Sequence, residues 1–134
     1  MANSAVKPLH RSTIAITGGS GFIGAALTEI HCRRGDSVRL LSRLDNCSVL
    51  DPATAVQFRG DICQSIPSGF LEGVETVYHL AAELHDQSRM NAVNVDGTST
   101  LLAAAAAAGV RRWVQLSSVG VYGPPTSPVV TEAT

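Results

Sequence analysis

A glycine-rich segment lies between an apolar run and the start of a helical pattern. The segment, residues 17–24, reads TGGSGFIG and directly follows the apolar residues 14–16. A strand, a turn and a helix start in this order are the context that gives a G-x-x-G-x-x-G spacing its meaning. Gly18 would permit the tight turn, Gly21 would let the main chain approach a pyrophosphate, and Gly24 would let helix and strand pack closely. The pattern predicts dinucleotide binding at a helix N-terminus; the alternative is a turn that needs glycine for structural reasons only.

Length and composition restrict the class of protein. With 134 residues, 45% of them hydrophobic and 16% charged, the chain fits one α/β domain rather than a disordered segment. The net charge of −1 provides no basic surface for nucleic acid or an anionic membrane. The three cysteines lack metal-ligand spacing, so we expect free thiols and no metal site. No signal peptide or membrane-spanning stretch is recognisable, which predicts a cytoplasmic protein.

Strand-like and helix-like segments alternate along the chain. We predict strands at 14–17, 37–41, 55–59, 74–80 and 112–117, helices at 22–34 and 86–108, and a short irregular helical piece at 64–71. In the first helix, the apolar face is expected to comprise Ile23, Ala26, Leu27 and Ile30. The alternation implies an α/β fold, a Rossmann-like doubly wound parallel sheet of about five strands in the order 3-2-1-4-5. We expect a flexible leader at 1–12, the domain at 13–123 and a Pro-rich tail at 124–134.

Four further motifs follow the glycine segment. They are Gly60-Asp-Ile62, His79-Leu-Ala-Ala82, Asn94-Val-Asp-Gly-Thr98 and Ser117-Ser-Val-Gly-Val-Tyr-Gly123. Together with the glycine segment, and in this order, they resemble the extended short-chain dehydrogenase/reductase family of sugar-nucleotide epimerases, dehydratases and related reductases. The resemblance covers residues 17–123 and concerns only the N-terminal part of such enzymes. It implies that the C-terminal strands and the substrate-binding region are lacking here.

The resemblance also implies a set of site residues. The cofactor-binding positions would be Gly18, Gly21, Phe22, Ile23, Gly24, Ser42, Arg43, Asp61, Ile62, Leu80, Ala81 and Ala82. Asp61 would accept the adenine amino hydrogen; the alternative is a turn residue at a strand end. Asn94 is unfavourable inside a helix unless its amide is bonded, and would support the loop after strand 4. His79 is expected on the buried strand with its ring satisfied locally, and His85 either near the substrate or in solvent.

The end of the second strand bears on the choice of nicotinamide cofactor. NAD-binding members usually carry a carboxylate there, about 20 residues beyond the glycines, for the ribose 2′-hydroxyl. Here the sequence reads Leu41-Ser42-Arg43. An arginine can pair with a 2′-phosphate, so NADP is favoured over NAD. NAD stays an alternative cofactor because Asp45 would reach the site if the following loop folds back.

The catalytic residues implied by the resemblance are a Ser or Thr and a Tyr-x-x-x-Lys. Ser118 matches the first; the alternative is a plain turn hydroxyl after the strand. Neither tyrosine is followed by lysine four residues later, and the only lysine is Lys7. We therefore expect the 134-residue chain alone to be inactive.

Two explanations of this length are open. The chain is either part of a longer enzyme or a small NADP-binding or sensor module. We favour the longer enzyme because the helix at 94–108 and strand 5 would otherwise be uncovered. The expected partners are a small-molecule substrate, such as a sugar nucleotide, and a second copy through the 86–108 helix.

Overall fold

Five parallel strands form a single sheet. The computed structural model of the chain describes residues 11–44, 54–124 and 129–132. The strands are β1 (Thr13–Thr17), β2 (Ser37–Ser42), β3 (Ala55–Arg59), β4 (Thr76–His79) and β5 (Arg112–Gln115). Their order is β3-β2-β1-β4-β5, and every neighbouring pair is parallel. This confirms the predicted Rossmann-like sheet and its strand order. The proposed leader and tail lie largely outside the described residues.

Helical segments connect the strands on both faces of the sheet. The first is α1 (Phe22–Arg33), and the second comprises α2 (Gln87–Asn91), a π-helical segment (Ala92–Gly97) and α3 (Thr98–Ala107). The predicted helix over 86–108 is thus nearly continuous, with a π-helical widening that the sequence did not reveal. Gly97 ends that segment where a Cβ atom would lie 2.8 Å from the Ile62 side chain, so the helix packs closely there. A short 3-10 helix (Val119–Tyr122) follows β5.

The predicted helical piece at 64–71 is wrong. This region consists of turns, closed by hydrogen bonds such as the one from Phe70 N to the Pro67 carbonyl. Gly69 has φ +80°, a left-handed conformation that interrupts a helix. The turns still bury Phe70 and Leu71 in the core, so the apolar residues of this region serve packing without a helix.

The core has one cluster on each face of the sheet. On the α3 side, Ala15 and Val77 pack with Phe70, Leu101 and Ala105. On the α1 side, the buried residues are Ile14, Ile16, Val38, Leu40 and Ala55, and Leu27 of α1 packs against them. This alternation along the strands buries both faces, as a parallel sheet with helices on both sides requires.

The predicted buried face of α1 is wrong. Of Ile23, Ala26, Leu27 and Ile30, only Leu27 packs on the sheet. Ala26 is exposed, and Ile23 and Ile30 are 49% and 54% exposed. The helix is therefore rotated about its axis relative to the expectation from apolar periodicity.

The face that α1 does bury is small and polar. It comprises Gly24, Thr28 and His31, spaced at i, i+4 and i+7. A Cβ atom on Gly24 would lie 2.2 Å from the Gly18 carbonyl oxygen, so the glycine turn requires this face to point inward. The Thr28 hydroxyl donates to the Gly24 carbonyl at 2.7 Å, and His31 Nδ1 lies 2.7 Å from a carboxylate oxygen of buried Asp36. These local partners make burial of polar side chains tolerable.

Candidate functional site

The carboxyl ends of β1, β2 and β4 border a cleft of about 290 Å³. This is the point where the strand order reverses, the usual ligand site of an open α/β sheet. Of the predicted cofactor-binding residues, those that line it are Gly18, Gly21, Ser42, Arg43, Asp61, Ile62, Leu80, Ala81 and Ala82. Phe22, Ile23 and Gly24 do not line it; Phe22 is 95% exposed at the start of α1, and Gly24 is buried beneath the turn. Nine of the twelve predicted cofactor-binding residues therefore line the same cleft.

The glycine turn is held from both sides. Gly18 has φ +72°, and a Cβ atom there would lie 2.8 Å from the backbone nitrogen of Ala81. Gly24 is equally constrained by the carbonyl of Gly18. A Cβ atom on Gly21, in contrast, would meet only that same carbonyl, at 3.3 Å, and Gly21 has an ordinary φ of −75°. The fold itself therefore requires glycine at 18 and 24, whereas Gly21 lines open space in the cleft.

The N-terminus of α1 opens beside this turn. Its N-cap is Gly21, which provides no side-chain hydrogen bond, and the first turn contains no acidic residue. The first N–H groups of a helix lack intrahelical acceptors and carry partial positive charge. The geometry at Gly21 therefore suits an anionic group, which would both reach the N–H groups and use the space left by the missing side chain.

Polar and charged side chains lie at the β2 and β3 end of the cleft. Ser42 ends β2, where its hydroxyl accepts a hydrogen bond from Leu44 N at 3.1 Å, and exposed Arg43 follows. Asp61 accepts a hydrogen bond from Cys63 N at 2.9 Å. That bond lowers the pKa of Asp61 against the opposing effect of burial, and the charges of Arg43 and Arg89 lower it further. Asp61 is therefore an anion at neutral pH.

Arg89 is a neighbour of Asp61 that the sequence did not suggest. Its guanidinium Nη2 lies 3.9 Å from a carboxylate oxygen of Asp61. Arg89 belongs to α2, distant from β3 along the chain, and no motif marks it. The fold brings the two charges together although they lie 28 residues apart in the chain.

A buried hydrogen-bond network lies directly behind the cleft. The Thr17 hydroxyl oxygen lies 2.6 Å from His79 Nδ1, and His79 Nε2 lies 2.9 Å from the Thr98 hydroxyl oxygen. The backbone N–H of Ala81 donates to the same Thr17 oxygen at 3.2 Å. The His79 ring is fully buried and satisfied locally, as expected, and burial lowers its pKa. Thr17 begins the glycine segment and Thr98 ends the Asn94–Thr98 motif. Nothing in the two motifs indicated that both hydroxyl groups contact the His79 ring.

The loop after β4 is tied to the π-helical segment. The Asn94 side chain accepts from Glu83 N at 2.8 Å and donates to the Glu83 carbonyl at 2.9 Å. The Glu83 carboxylate in turn accepts from the backbone N–H groups of His85 and Asp86. Asn94 thus makes the contact expected of a loop-supporting residue. His85 is exposed and does not line the cleft.

Ser118 is not among the residues that line the cleft. It precedes the 3-10 helix, and its hydroxyl accepts a hydrogen bond from Gly120 N at 3.1 Å. The residue is exposed, as is most of β5. The catalytic role of Ser118 stays a prediction.

Comparison with known proteins identifies the family. Residues 14–134 match the NAD dependent epimerase/dehydratase family. The chain belongs to this family. This confirms the resemblance to the N-terminal part of extended short-chain dehydrogenases/reductases.

Individual relatives differ in the activities they are named for. Sterol demethylase protein B of Methylococcus capsulatus is 38% identical over 118 residues, which cover 83% of this chain and 36% of that protein. A dTDP-glucose 4,6-dehydratase of Streptomyces griseus is 35% identical over 127 residues, covering 82% of this chain and 39% of that protein. The structure of MoeE5 in complex with UDP-glucose and NAD superposes with a TM-score of 0.79 at 29% identity, covering 92% of this chain and 42% of that one.

The chain matches only part of each of these relatives. It spans little more than a third of the length of the curated relatives it matches. In the part of the chain that the structure describes, no helix is long and apolar enough to cross a membrane. Within the same residues, no group of three or more His, Cys, Asp and Glu side chains is placed to hold a metal ion.

Proposed function

We propose that this chain is the NAD(P)-binding portion of an oxidoreductase, epimerase or dehydratase that acts by nicotinamide hydride transfer. The single observation that carries the proposal is the environment of Gly21. Its missing side chain leaves cleft space that the fold itself does not need, directly beside the N-terminus of α1. Membership of an NAD dependent family supports the same ligand. When bound, the nicotinamide ring would supply hydride transfer.

We propose one orientation for the dinucleotide in the cleft. The pyrophosphate would lie over Gly18 and Gly21, at the N-terminus of α1. The adenosine would lie towards Asp61 and Ile62, with the Asp61 carboxylate accepting from the adenine amino group. The nicotinamide half would pass the main chain at 80–82, where Ala81 and Ala82 leave room for it. Each of these positions borders the same cleft.

We further propose that NADP is preferred over NAD. Arg43 is exposed at the rim of the cleft, and neither Ser42 nor Leu44 beside it carries a negative charge. A 2′-phosphate would meet the Arg43 guanidinium and the Ser42 hydroxyl there. Among the described residues that line the cleft, the Asp61 carboxylate opposes this preference, since Arg43 already interacts with it electrostatically. Asp45, which would favour NAD, lies outside the described residues. MoeE5 itself was solved with NAD, so the preference needs a direct comparison of both cofactors.

The substrate side of the proposal rests on the relatives and on Ser118. A sugar nucleotide is supported by MoeE5, whose structure contains UDP-glucose, and by the dTDP-glucose dehydratase. Ser118 would bond the reacting oxygen of the substrate. The sequence has no Tyr-x-x-x-Lys, so the 134-residue chain by itself would bind cofactor without turnover.

We propose that the protein is cytoplasmic. We also propose that two copies can pair through the outer face of the 86–108 helix, where Val95 and Leu102 are exposed.

The alternative function is a non-catalytic NADP-binding or sensor module. Such a module would need no Tyr-x-x-x-Lys, and these 134 residues contain none. In that case the cofactor would alter association with a partner rather than react.

The test of cofactor binding is an NMR titration of the ¹⁵N-labelled chain with NAD⁺ and with NADP⁺. The proposal predicts saturable shifts of backbone amides in 18–24 and 80–82, with little change in the turns at 67–73. Shifts spread evenly over the surface, or none at all from a folded sample, would contradict it. If the chain binds a dinucleotide but transfers no hydride after it is joined to a substrate-binding domain, the result would favour the sensor module.

A further inference from the structure

The polar network behind the cleft joins four elements at one point. Thr17 ends β1, His79 ends β4, Thr98 begins α3, and Ala81 belongs to the loop after β4. We propose that His79 is a positioning residue for the dinucleotide, acting through Thr17 to fix the Ala81 backbone against the glycine turn. This inference rests on the proposed function, because it concerns the wall of the same cleft.

The hydrogen atoms of the network can be assigned by accounting for donors and acceptors. Ala81 N–H donates to the Thr17 oxygen, so the single hydroxyl hydrogen of Thr17 is free to point at His79 Nδ1. Nδ1 then accepts, and Nε2–H donates to the Thr98 oxygen. In the other neutral tautomer, Thr17 would accept two hydrogen bonds. Its own hydrogen would then have no acceptor among the described side chains. The geometry thus favours neutral His79 with its proton on Nε2.

The network reaches the cleft through a very tight contact. The backbone nitrogen of Ala81 lies 2.8 Å from the position of a Cβ atom on Gly18. Leu80 N also donates to the Thr17 carbonyl at 3.2 Å, so two hydrogen bonds hold this loop to the end of β1. Thr17, Gly18 and Ala81 all line the cleft. A change in the direction of the Thr17 hydroxyl would therefore move the wall that the nicotinamide half passes.

The surroundings of the His79 ring keep it neutral. The groups that face it are Thr17 from β1, Thr98 from α3 and the Trp113 ring of β5, whose centroid is 5.5 Å away. None of these side chains is charged or titrates near neutral pH. Burial therefore lowers the pKa of His79 without an opposing charge. Protonation would place a second hydrogen on Nδ1, facing the hydrogen of Thr17.

The test uses the whole chain and four variants. His79→Phe removes both ring hydrogen bonds, and Thr17→Val removes the acceptor of Ala81 N–H. His79→Gln keeps a neutral group that can accept and donate. Thr76→Val is the matched control, because Thr76 is a buried threonine at the opposite end of β4. Melting curves establish that each variant is folded before any other comparison.

Two readouts need no ligand. Imidazole ¹⁵N spectra of the wild-type chain should show His79 as the neutral Nε2–H tautomer. Amide hydrogen exchange at Ala81 should accelerate in Thr17→Val and in His79→Phe but not in Thr76→Val. An Nδ1–H tautomer, or unchanged exchange at Ala81 in both variants, would overturn the proposal. Both readouts test the network even if the wild-type chain does not bind NAD⁺. A failure to bind NAD⁺ would contradict the proposed function instead.

The third readout is NAD⁺ affinity. Loss of one network hydrogen bond should weaken binding about fivefold to tenfold in His79→Phe and Thr17→Val. His79→Gln should recover most of that loss, which a merely space-filling role would not explain. Wild-type affinity should also fall as the pH drops below the usual range of histidine, and His79→Gln should lack this dependence. A folded His79→Phe that binds as tightly as the wild type would overturn the proposal. If that variant does not fold, Thr17→Val and the pH comparison decide.

Discussion

The Thr17 hydroxyl oxygen lies 2.6 Å from Nδ1 of His79, across the register pair that joins β1 to β4. This buried contact links the first residue of the glycine segment to the first residue of the His-Leu-Ala-Ala motif. Two motifs that the sequence presents separately are therefore one structural unit. The contact also makes the protonation state of a single histidine relevant to both stability and the shape of the cleft.

The first prediction concerns stability below neutral pH. Burial lowers the pKa of His79 in the folded state below its ordinary value of 6.5, so the unfolded chain takes up the proton first. The stabilisation is complete above about pH 6.5 and is lost as the pH falls further. Urea unfolding of the wild type should show a declining free energy from about pH 7 to about pH 5, and the decline should be smaller in His79→Gln. Parallel curves for the two proteins would contradict the assignment.

The second prediction separates two glycines of the same motif. Gly24→Ala places a Cβ atom 2.2 Å from the Gly18 carbonyl oxygen and should lower the free energy of unfolding by about 1–3 kcal/mol. Gly21→Ala meets that oxygen only at 3.3 Å and should change stability by less than about 1 kcal/mol. Thermal and urea unfolding of both variants measure the difference. Equal losses in the two variants would mean that Gly21 also has a structural role.

The third prediction concerns the buried pair at the end of α1. Burial alone would raise the pKa of Asp36, but hydrogen bonds from His31 and from Ser12 N, helped by the charge of Arg34, lower it. The carboxylate therefore stabilises the fold above about pH 3.8, and this contribution is lost as the pH falls further. Asp36→Asn should cost about 1–3 kcal/mol at neutral pH. Exposed Asp96→Asn is the control and should have almost no effect; a similar cost for both would exclude the buried pair as the cause.

The fourth prediction addresses cofactor choice. Arg43→Ala should weaken NADP⁺ binding by at least about tenfold and NAD⁺ binding much less, because only NADP⁺ carries the 2′-phosphate. Arg33→Ala is the matched control, since Arg33 is an exposed arginine of α1 that pairs with Glu29 rather than bordering the cleft. Binding of both dinucleotides to each variant can be measured by fluorescence or calorimetry. Equal losses for NADP⁺ and NAD⁺ would show that Arg43 does not recognise the phosphate.

Much of the sheet could be predicted because its strands are short apolar runs between clear breaks. β3 has the predicted bounds, and β1 and β2 differ from them by one residue each. The cleft followed, because the carboxyl ends of parallel strands meet at one edge. Gly18, Arg43, Asp61 and Ala81 each lie at such an end.

What could not be predicted depends on contacts between distant segments. The face of α1 is set by the fit of Gly24 under the turn, which overrides the apolar pattern of Ile23 and Ile30. The network of Thr17, His79 and Thr98 requires three elements that lie far apart in the chain. Periodicity and motif spacing contain no information on contacts between residues that are distant in the chain.

Binding of a nicotinamide dinucleotide in the cleft is the function from which the other assignments follow. Calorimetric titration of the 134-residue chain with NADP⁺ and then with NAD⁺, at matched salt, tests it most directly, with Gly21→Val as the companion variant. We predict saturable binding of both, tighter for NADP⁺, and no detectable binding to a folded Gly21→Val, whose side chain fills the pyrophosphate space. Failure of the folded wild-type chain to bind either dinucleotide, or unchanged affinity in the folded variant, would contradict this assignment of the cleft.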